Sequence, residues 1–307
     1  MSLFTGCRMN RSRIVERIST TFRSFDPRLY QIASLATLLT YGLLWLHFDV
    51  SATQIVVTLA VALLTQYGGT RLNHLSSFDP RSPFISALSL CLLLRTNDLL
   101  VAALASFIAI SSKFVIRWKN RHVFNPTNLA LILVIASGTG WISPGQWGQI
   151  AWMGFVIACL GSLVVTRAAR ADVTLAFLGF YVGLLIARAL WLGDPLTIVL
   201  HQLESGTLLI FSFFMISDPK TTPDSRTGRL VYALLVSLAT LYVQFGFFIP
   251  NGPLWGLFVC SPFVPLIDRY LPGSRYDCSK PAGGNLPVTL SIPVLVPLSI
   301  SQQRRIS

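Results

Sequence analysis

The stretch DVTLAFLGFYVGLLIARALWL, residues 172–192, decides the fold class of this chain. Apolar side chains occupy every side of it, and Arg188 is its single interior charge. A helix needs about 20 predominantly apolar residues to cross the hydrocarbon layer of a bilayer. The stretch therefore predicts a transmembrane helix.

The rest of the chain repeats this pattern. Of its 307 residues, 53% are hydrophobic and only 12% are charged, whereas soluble domains carry about 25% charged residues. So little polar surface predicts an all-α integral membrane protein with about ten transmembrane helices, whose first partner is the lipid bilayer. Nine further apolar runs lie at about 30–48, 53–68, 83–94, 98–116, 126–140, 146–166, 196–217, 229–248 and 252–267.

The basic residues give the orientation. The net charge is +12, but Lys and Arg form short clusters between the apolar runs rather than one basic face, so we expect no nucleic-acid partner. With ten crossings, 22 of the 24 Lys and Arg residues fall on one side. The positive-inside rule then predicts a multi-pass protein of the plasma (inner) membrane with both termini in the cytoplasm.

Three regions follow from this distribution. Residues 1–29 are a basic cytoplasmic segment, which is either an amphipathic helix on the membrane surface or a basic tail. Residues 30–270 form the transmembrane domain. Residues 271–307 are a cytoplasmic tail, because prolines interrupt its apolar part and would leave backbone carbonyls unpaired in lipid.

Ten spans divide into two five-helix repeats, about 30–140 and 146–268. An odd number of spans per half makes the repeats inverted. The third elements, SPFISALSLCLLLRTND (82–98) and ESGTLLIFSFFMISDPKTTP (204–223), both open near a serine and end in a polar patch. They predict short or broken helices, which mark binding sites in such folds; the alternative at 83–94 is an ordinary helix with indistinct ends.

The first polar motif is HVFNPTNLAL, residues 122–131. Asn125 followed by proline is a good helix start, since Asn caps and Pro suits the first helical position. A cap alone does not explain a second amide, Asn128, in the first turn. These two side chains are either a cap with a neighbour or part of a cofactor-binding site.

The second polar motif is FFMISDPKTTPDSRTGR, residues 213–229. Asp218 precedes a proline and ends a helix, and Thr222 lies in the following turn. A carboxylate at that depth needs water, a ligand or a cationic partner such as Lys220 or Arg226. Asp218 and Thr222 join the candidate cofactor-binding residues, with a plain capped turn as the alternative.

No metal site is expected. His201 and Glu204 form one pair where a di-iron site needs two, and none of the five cysteines forms a CxxC pair. A surface pair at one membrane face is the favoured interpretation of His201 and Glu204, and proton handling is the alternative.

Three motifs together resemble one family, RnfD/NqrB, whose members are membrane subunits of the Rnf electron-transport complex (RnfD) and of the sodium-pumping NADH:quinone reductase (NqrB). FNPTNLAL is similar to the family's FNPA-like motif, FFMISDPKTTP to its FFMATDP motif, and PFVPLIDRY (262–270) to its NPLIDR-like segment. The resemblance implies a ten-helix inverted-repeat fold, flavin chemistry, and other electron-transport subunits as partners.

One departure concerns the cofactor. The family attaches FMN to a threonine in an SGAT-like motif, and this chain has none; Ser205-Gly206-Thr207 aligns instead with the start of the FFMATDP helix. We therefore expect flavin (FMN or riboflavin) or quinone to bind non-covalently, in a redox subunit that couples electron transfer to ion transport. The alternative is a non-redox transporter or channel for a small solute on the same fold.

Overall fold

A computed structural model describes residues 26–75, 77–119, 121–143 and 151–273. Most of the predicted basic segment and of the 271–307 tail lies outside these residues. The described chain is helical apart from four two-residue strands. In chain order the elements are α1 Pro27–Leu44, α2 Ala52–Leu72, α3 Arg81–Leu93, β1 Leu94–Arg95, α4 Leu99–Val115, β2 Arg117–Trp118, β3 Arg121–His122, α5 Pro126–Ala136, β4 Trp141–Ile142, α6 Ala151–Arg167, α7 Ala171–Leu192, α8 Leu196–Leu203, α9 Gly206–Met215, α10 Arg226–Gly246, α11 Gly252–Cys260 and α12 Val264–Tyr270.

Three described helices are long and apolar enough to cross a membrane: α2, α7 and α10. The bent pair α8 and α9 makes a fourth when it is counted as one span. Large apolar side chains stand exposed along these helices, including Leu64 at 69% and Leu175 at 67%. Apolar surface of this extent suits contact with lipid tails rather than water. The chain is therefore a helical, multi-pass membrane protein.

The short helix predicted near 83–94 is present as α3, which has 13 residues. It ends where Leu94 turns into extended backbone and pairs with Ile142 in the β1–β4 ladder. The guanidinium of Arg95 then turns back and donates to the carbonyls of Cys91, Leu92 and Leu94 at 2.9–3.1 Å. A cation at a helix C-terminus satisfies carbonyls that lack intrahelical partners, so the helix can end in a buried place.

The predicted run 196–217 is divided. Helices α8 and α9 meet at an angle of 60°, and Ser205 begins α9 by accepting a hydrogen bond from the Leu208 N–H. The second half of α9, Phe211–Met215, is π-helical and buried. Single-turn π segments occur often at functional sites. The structure thus has a second short, buried helix where the sequence predicts one.

The last predicted run, 252–267, is also divided. A 3₁₀ turn, Ser261–Phe263, separates α11 from α12. Pro262 and Pro265 cause this, because neither has an N–H to continue an α-helical ladder. Helix α11 packs tightly on α10, where a Cβ added at Gly256 would approach the Val236 carbonyl oxygen to 2.9 Å.

Candidate functional site

The amide of Asn125 starts α5 as predicted. Its Oδ1 accepts a hydrogen bond from the Asn128 N–H at 3.2 Å, and Pro126 occupies the first helical position. The remaining Nδ2 group points away from the helix. It approaches the Met215 carbonyl at 3.4 Å and Asp218 Oδ2 at 3.5 Å. The cap therefore also joins the two polar motifs predicted from the sequence.

Asn128 makes a different contact. Its Nδ2 donates to the Leu254 carbonyl at 3.0 Å, and the residue is 1% exposed. Its Oδ1 is buried and has no hydrogen-bond partner among the described residues. Asn128 ties α5 to the start of α11 and does not line the cavity described below.

The turn after Asp218 is held by its own backbone. The Asp218 carbonyl accepts from the Thr221 N–H, the Thr222 N–H and the Thr222 hydroxyl at 3.0–3.2 Å. The Asp218 carboxylate accepts from the backbone N–H of Lys220 at 3.0 Å. Thr222 is 1% exposed and faces inward, so its visible role is to close this turn.

The predicted ion pair of Asp218 with Lys220 or Arg226 is absent. Within the described residues the Asp218 carboxylate has no cationic group within 4.0 Å. Lys220 reaches it through the backbone instead, as the tight turn directs.

Sequence analysis missed Lys113, in the last turn of α4. It is 6% exposed, and its Nζ donates to the Ser82 carbonyl at 3.2 Å and to the hydroxyls of Ser82 and Ser86 at 3.0 Å. All three acceptors are neutral. A lysine is usually counted as a topology marker at a helix end, and the available signal was serine at positions 82, 86 and 89, which share one face of α3.

Arg121 is the second residue that sequence analysis missed. Its guanidinium donates to Asp224 at 2.9 Å and to Asp268 at 3.0 Å. The same group also donates to the carbonyls of Pro219, Lys220 and Thr222 at 2.5–3.4 Å. Arg121 therefore fixes the turn that carries Asp218, through a fork of donors that lysine lacks.

A cavity of about 100 Å³ lies among these groups; we call it the Lys113 cavity. It is partly open and has room for a few water molecules or one small ring. Of the four predicted site residues, Asn125 and Asp218 line it, whereas Asn128 and Thr222 do not. Its polar lining includes Ser82, Ser86, Ser89, Lys113, His122, Asn125, Asp218 and Lys220.

A network of ion pairs borders one side of this cavity. Arg28 pairs with Asp79 at 2.7 Å, while Arg81 pairs with Asp26 at 2.6 Å and with Asp79 at 2.9 Å. Burial raises the pKa of Asp79, but hydrogen bonds from Arg81 and the two positive charges outweigh it and lower the pKa overall. The four charges cancel, which leaves Lys113, Lys220 and Asp218 as the other charged groups of the lining.

His122 contributes no charge to the cavity near neutral pH. Burial, and then the positive charges of Lys220, Lys113 and Arg117, lower its pKa to about 3. Its Nδ1 is buried without a hydrogen-bond partner among the described residues. A neutral imidazole offers one donor and one acceptor.

A second, larger cavity of about 480 Å³ lies beyond Leu254; we call it the Tyr181 cavity. The Tyr181 hydroxyl donates to Gln244 Oε1 at 3.0 Å on its wall. His201 and Glu204 stand at its edge, exposed and 3.2 Å apart, as the surface-pair interpretation predicts. Thr207 lines it too, but its hydroxyl donates to the Ser143 carbonyl at 2.6 Å.

Comparison with known proteins agrees with the motifs. Residues 128–277 match the model of the NQR2, RnfD, RnfE family. The resemblance to RnfD is thereby confirmed for this part of the chain, which contains Asn128, Asp218 and Thr222 but not Asn125.

Individual relatives are named in the same way. The D-type component of the ion-translocating oxidoreductase complex of Escherichia coli O1:K1 / APEC is 32% identical over 140 residues, 44% of this chain and 36% of that protein. The equivalent components from Escherichia coli O139:H28 and from Shigella dysenteriae serotype 1 are 31% identical over the same coverage. The match thus spans only 36% of the length of these relatives.

Proposed function

We propose that this chain is a membrane subunit of an Rnf- or Nqr-like electron-transport system. It binds a flavin or quinone headgroup non-covalently at the Lys113 cavity and works beside other membrane subunits. The relatives are named as subunits of an ion-translocating oxidoreductase complex, which supports coupling of electron transfer to ion transport here.

One observation carries this proposal. Asn125 and Asp218, 93 positions apart, approach to 3.5 Å on the wall of a single cavity. Both sit at helix ends, where backbone groups lack intrahelical partners. A redox headgroup in an otherwise apolar site needs a few directed hydrogen bonds of this kind.

We further propose the ten-helix inverted repeat as the framework. Helix packing supports it, because each major pair in the first half has a counterpart later in the chain: α2 with α4 corresponds to α7 with α10, and α4 with α5 to α10 with α11. The hydroxyl of Ser106 in α4 donates to the Thr58 carbonyl in α2 at 2.7 Å. In the second half, the Ser237 hydroxyl in α10 reaches the Phe177 carbonyl in α7 at 3.4 Å.

The buried Thr207 supports a non-covalent cofactor. Its hydroxyl belongs to the sequence nearest to SGAT, yet it is 6% exposed and already donates to Ser143. Esterification there would remove a donor from a buried carbonyl, at a cost of about 1–3 kcal/mol.

A visible absorption spectrum of the protein purified in detergent tests the redox function. We expect a flavin band that disappears after denaturation and removal of small molecules by filtration. On a denaturing gel under ultraviolet light, no fluorescence should travel with the polypeptide. A fluorescent polypeptide would contradict the non-covalent assignment and leave flavin binding intact.

The Tyr181 cavity favours a second candidate, a transporter or channel for a small solute. Asn128 lies between the two cavities in the sense that its neighbour Leu254 lines one and Asn125 lines the other. Such a protein would bind neither flavin nor quinone. Solute uptake by vesicles containing the purified protein, together with a colourless preparation, would favour this candidate over the redox subunit.

A further inference from the structure

We propose that the Lys113 cavity binds an imide edge, a carbonyl–N–H–carbonyl sequence, and therefore selects a flavin over a quinone. This inference rests on the proposed function and names the ligand class of its site. A flavin carries such an edge on its pyrimidine ring, whereas a quinone headgroup presents carbonyl acceptors and no N–H.

The first part of the argument is an acceptor without a cation. Asp218 faces the cavity, and its carboxylate receives one backbone N–H at 3.0 Å and the Asn125 amide at 3.5 Å. None of the described cations lies within 4.0 Å of it. A carboxylate takes several hydrogen bonds, so it can accept a further, charge-assisted bond from a ligand N–H.

The second part is a wall of donors on the other side. Lys113 is 94% buried, since its exposed fraction is 6%, and it has only neutral partners. The Ser82 hydroxyl accepts from Lys113 Nζ at 3.0 Å, and among the described residues nothing accepts its own hydrogen. Ser82 can therefore donate to a ligand carbonyl, in a bond that the adjacent ammonium strengthens.

The third part is the amide of Asn125. Its two bonds, at 3.4 and 3.5 Å, are at the long limit for N–H donors. A carbonyl placed beside the Asp218 carboxylate would draw this Nδ2 group more strongly than the present acceptors do. The lining then reads donor, acceptor, donor, which complements the acceptor, donor, acceptor order of an imide.

The size of the cavity fits this edge alone. About 100 Å³ admits one small ring, so the rest of a tricyclic flavin would lie in the cavity mouth. Ligand specificity would then come from the buried edge, because an unpaired buried polar group costs about 1–3 kcal/mol.

The test compares riboflavin with 3-methylriboflavin, which lacks only the imide N–H, and with a short-chain ubiquinone. Binding to the flavin-depleted protein in detergent is followed by quenching of flavin fluorescence, with the quinone as competitor. We expect riboflavin to bind at least tenfold more tightly than its methylated form and the quinone not to compete. Asp218→Asn should weaken riboflavin binding and reduce the ratio between the two flavins.

Two matched variants serve as controls. Asp98→Asn removes a carboxylate at the start of α4, where Asn caps as well as Asp, and should keep the full ratio. Lys113→Met should weaken both flavins about equally, because it acts on a carbonyl, whereas Lys119→Met, on the hairpin outside this cavity, should not.

The outcomes separate the two claims. Equal binding of both flavins by the parent protein overturns the imide edge while flavin binding stands. Binding of the quinone with no flavin overturns it and keeps a redox site. If none of the three ligands binds, the imide edge and the proposed site of the redox function fail together.

Discussion

Arg121 donates to Asp268 at 3.0 Å across 147 positions of the chain. The contact joins the β2–β3 hairpin to the end of α12, and the same guanidinium holds the turn of Asp218. Both side chains are about one-fifth exposed, so water screens this pair less than a surface pair.

Arg121→Lys should destabilise the protein by about 1.5–3 kcal/mol, the range for hydrogen bonds to a charged group. Lysine keeps the charge but cannot reach two carboxylates and three carbonyls together. The melting temperature in detergent is the measurement, with the exposed Arg117→Lys as the control. Equal melting of the two variants would contradict this role of Arg121.

Gly161→Ala should destabilise by about 1–3 kcal/mol, because an added methyl group would overlap the ring of Phe213 in α9. Gly179→Ala and Gly183→Ala are matched controls on α7, since nothing lies within 4 Å of a Cβ added at either position. They should be neutral or stabilising by up to about 1 kcal/mol. Thermal denaturation of the three variants, with similar losses for all, would show that α6 and α9 are not in this contact.

His122 should make the protein less stable in acid. Its pKa is lowered to about 3 in the folded state from a usual 6.5, so below pH 6.5 the unfolded chain binds a proton that the folded chain refuses. This loss amounts to about 1.4 kcal/mol per pH unit. His122→Gln should melt less steeply with falling pH than the parent, and the exposed His201→Gln should retain the parent's dependence.

Both termini should lie in the cytoplasm, as the distribution of Lys and Arg predicts. A reporter active only outside the cytoplasm, fused at the C-terminus, should be silent. A fusion truncated after residue 194, in a predicted outer turn without Lys or Arg, should be active. Activity of the C-terminal fusion would require an odd number of crossings and end the inverted-repeat proposal.

Local chemistry made much of the helical framework predictable from sequence. Asn125-Pro126 is a cap whose partner lies three residues away, and α3 is short because the polar RTND segment follows its apolar residues. Prolines at 262 and 265 divide the last run by the same kind of short-range rule, but hydropathy alone overlooked them. Such features depend on neighbours in the chain, so a linear pattern contains them.

The candidate site was only half accessible in this way. Asn125 and Asp218 were found because polar groups at helix ends in an apolar chain are conspicuous, whereas Thr222 turned out to close its own turn. Asn128 binds the Leu254 carbonyl 126 positions away, and Lys113 binds serines on a different helix. Hydropathy and caps specify where each helix begins and ends, but the rotation and depth at which two helices pack decide which polar side chains meet, and only the tertiary structure contains that information.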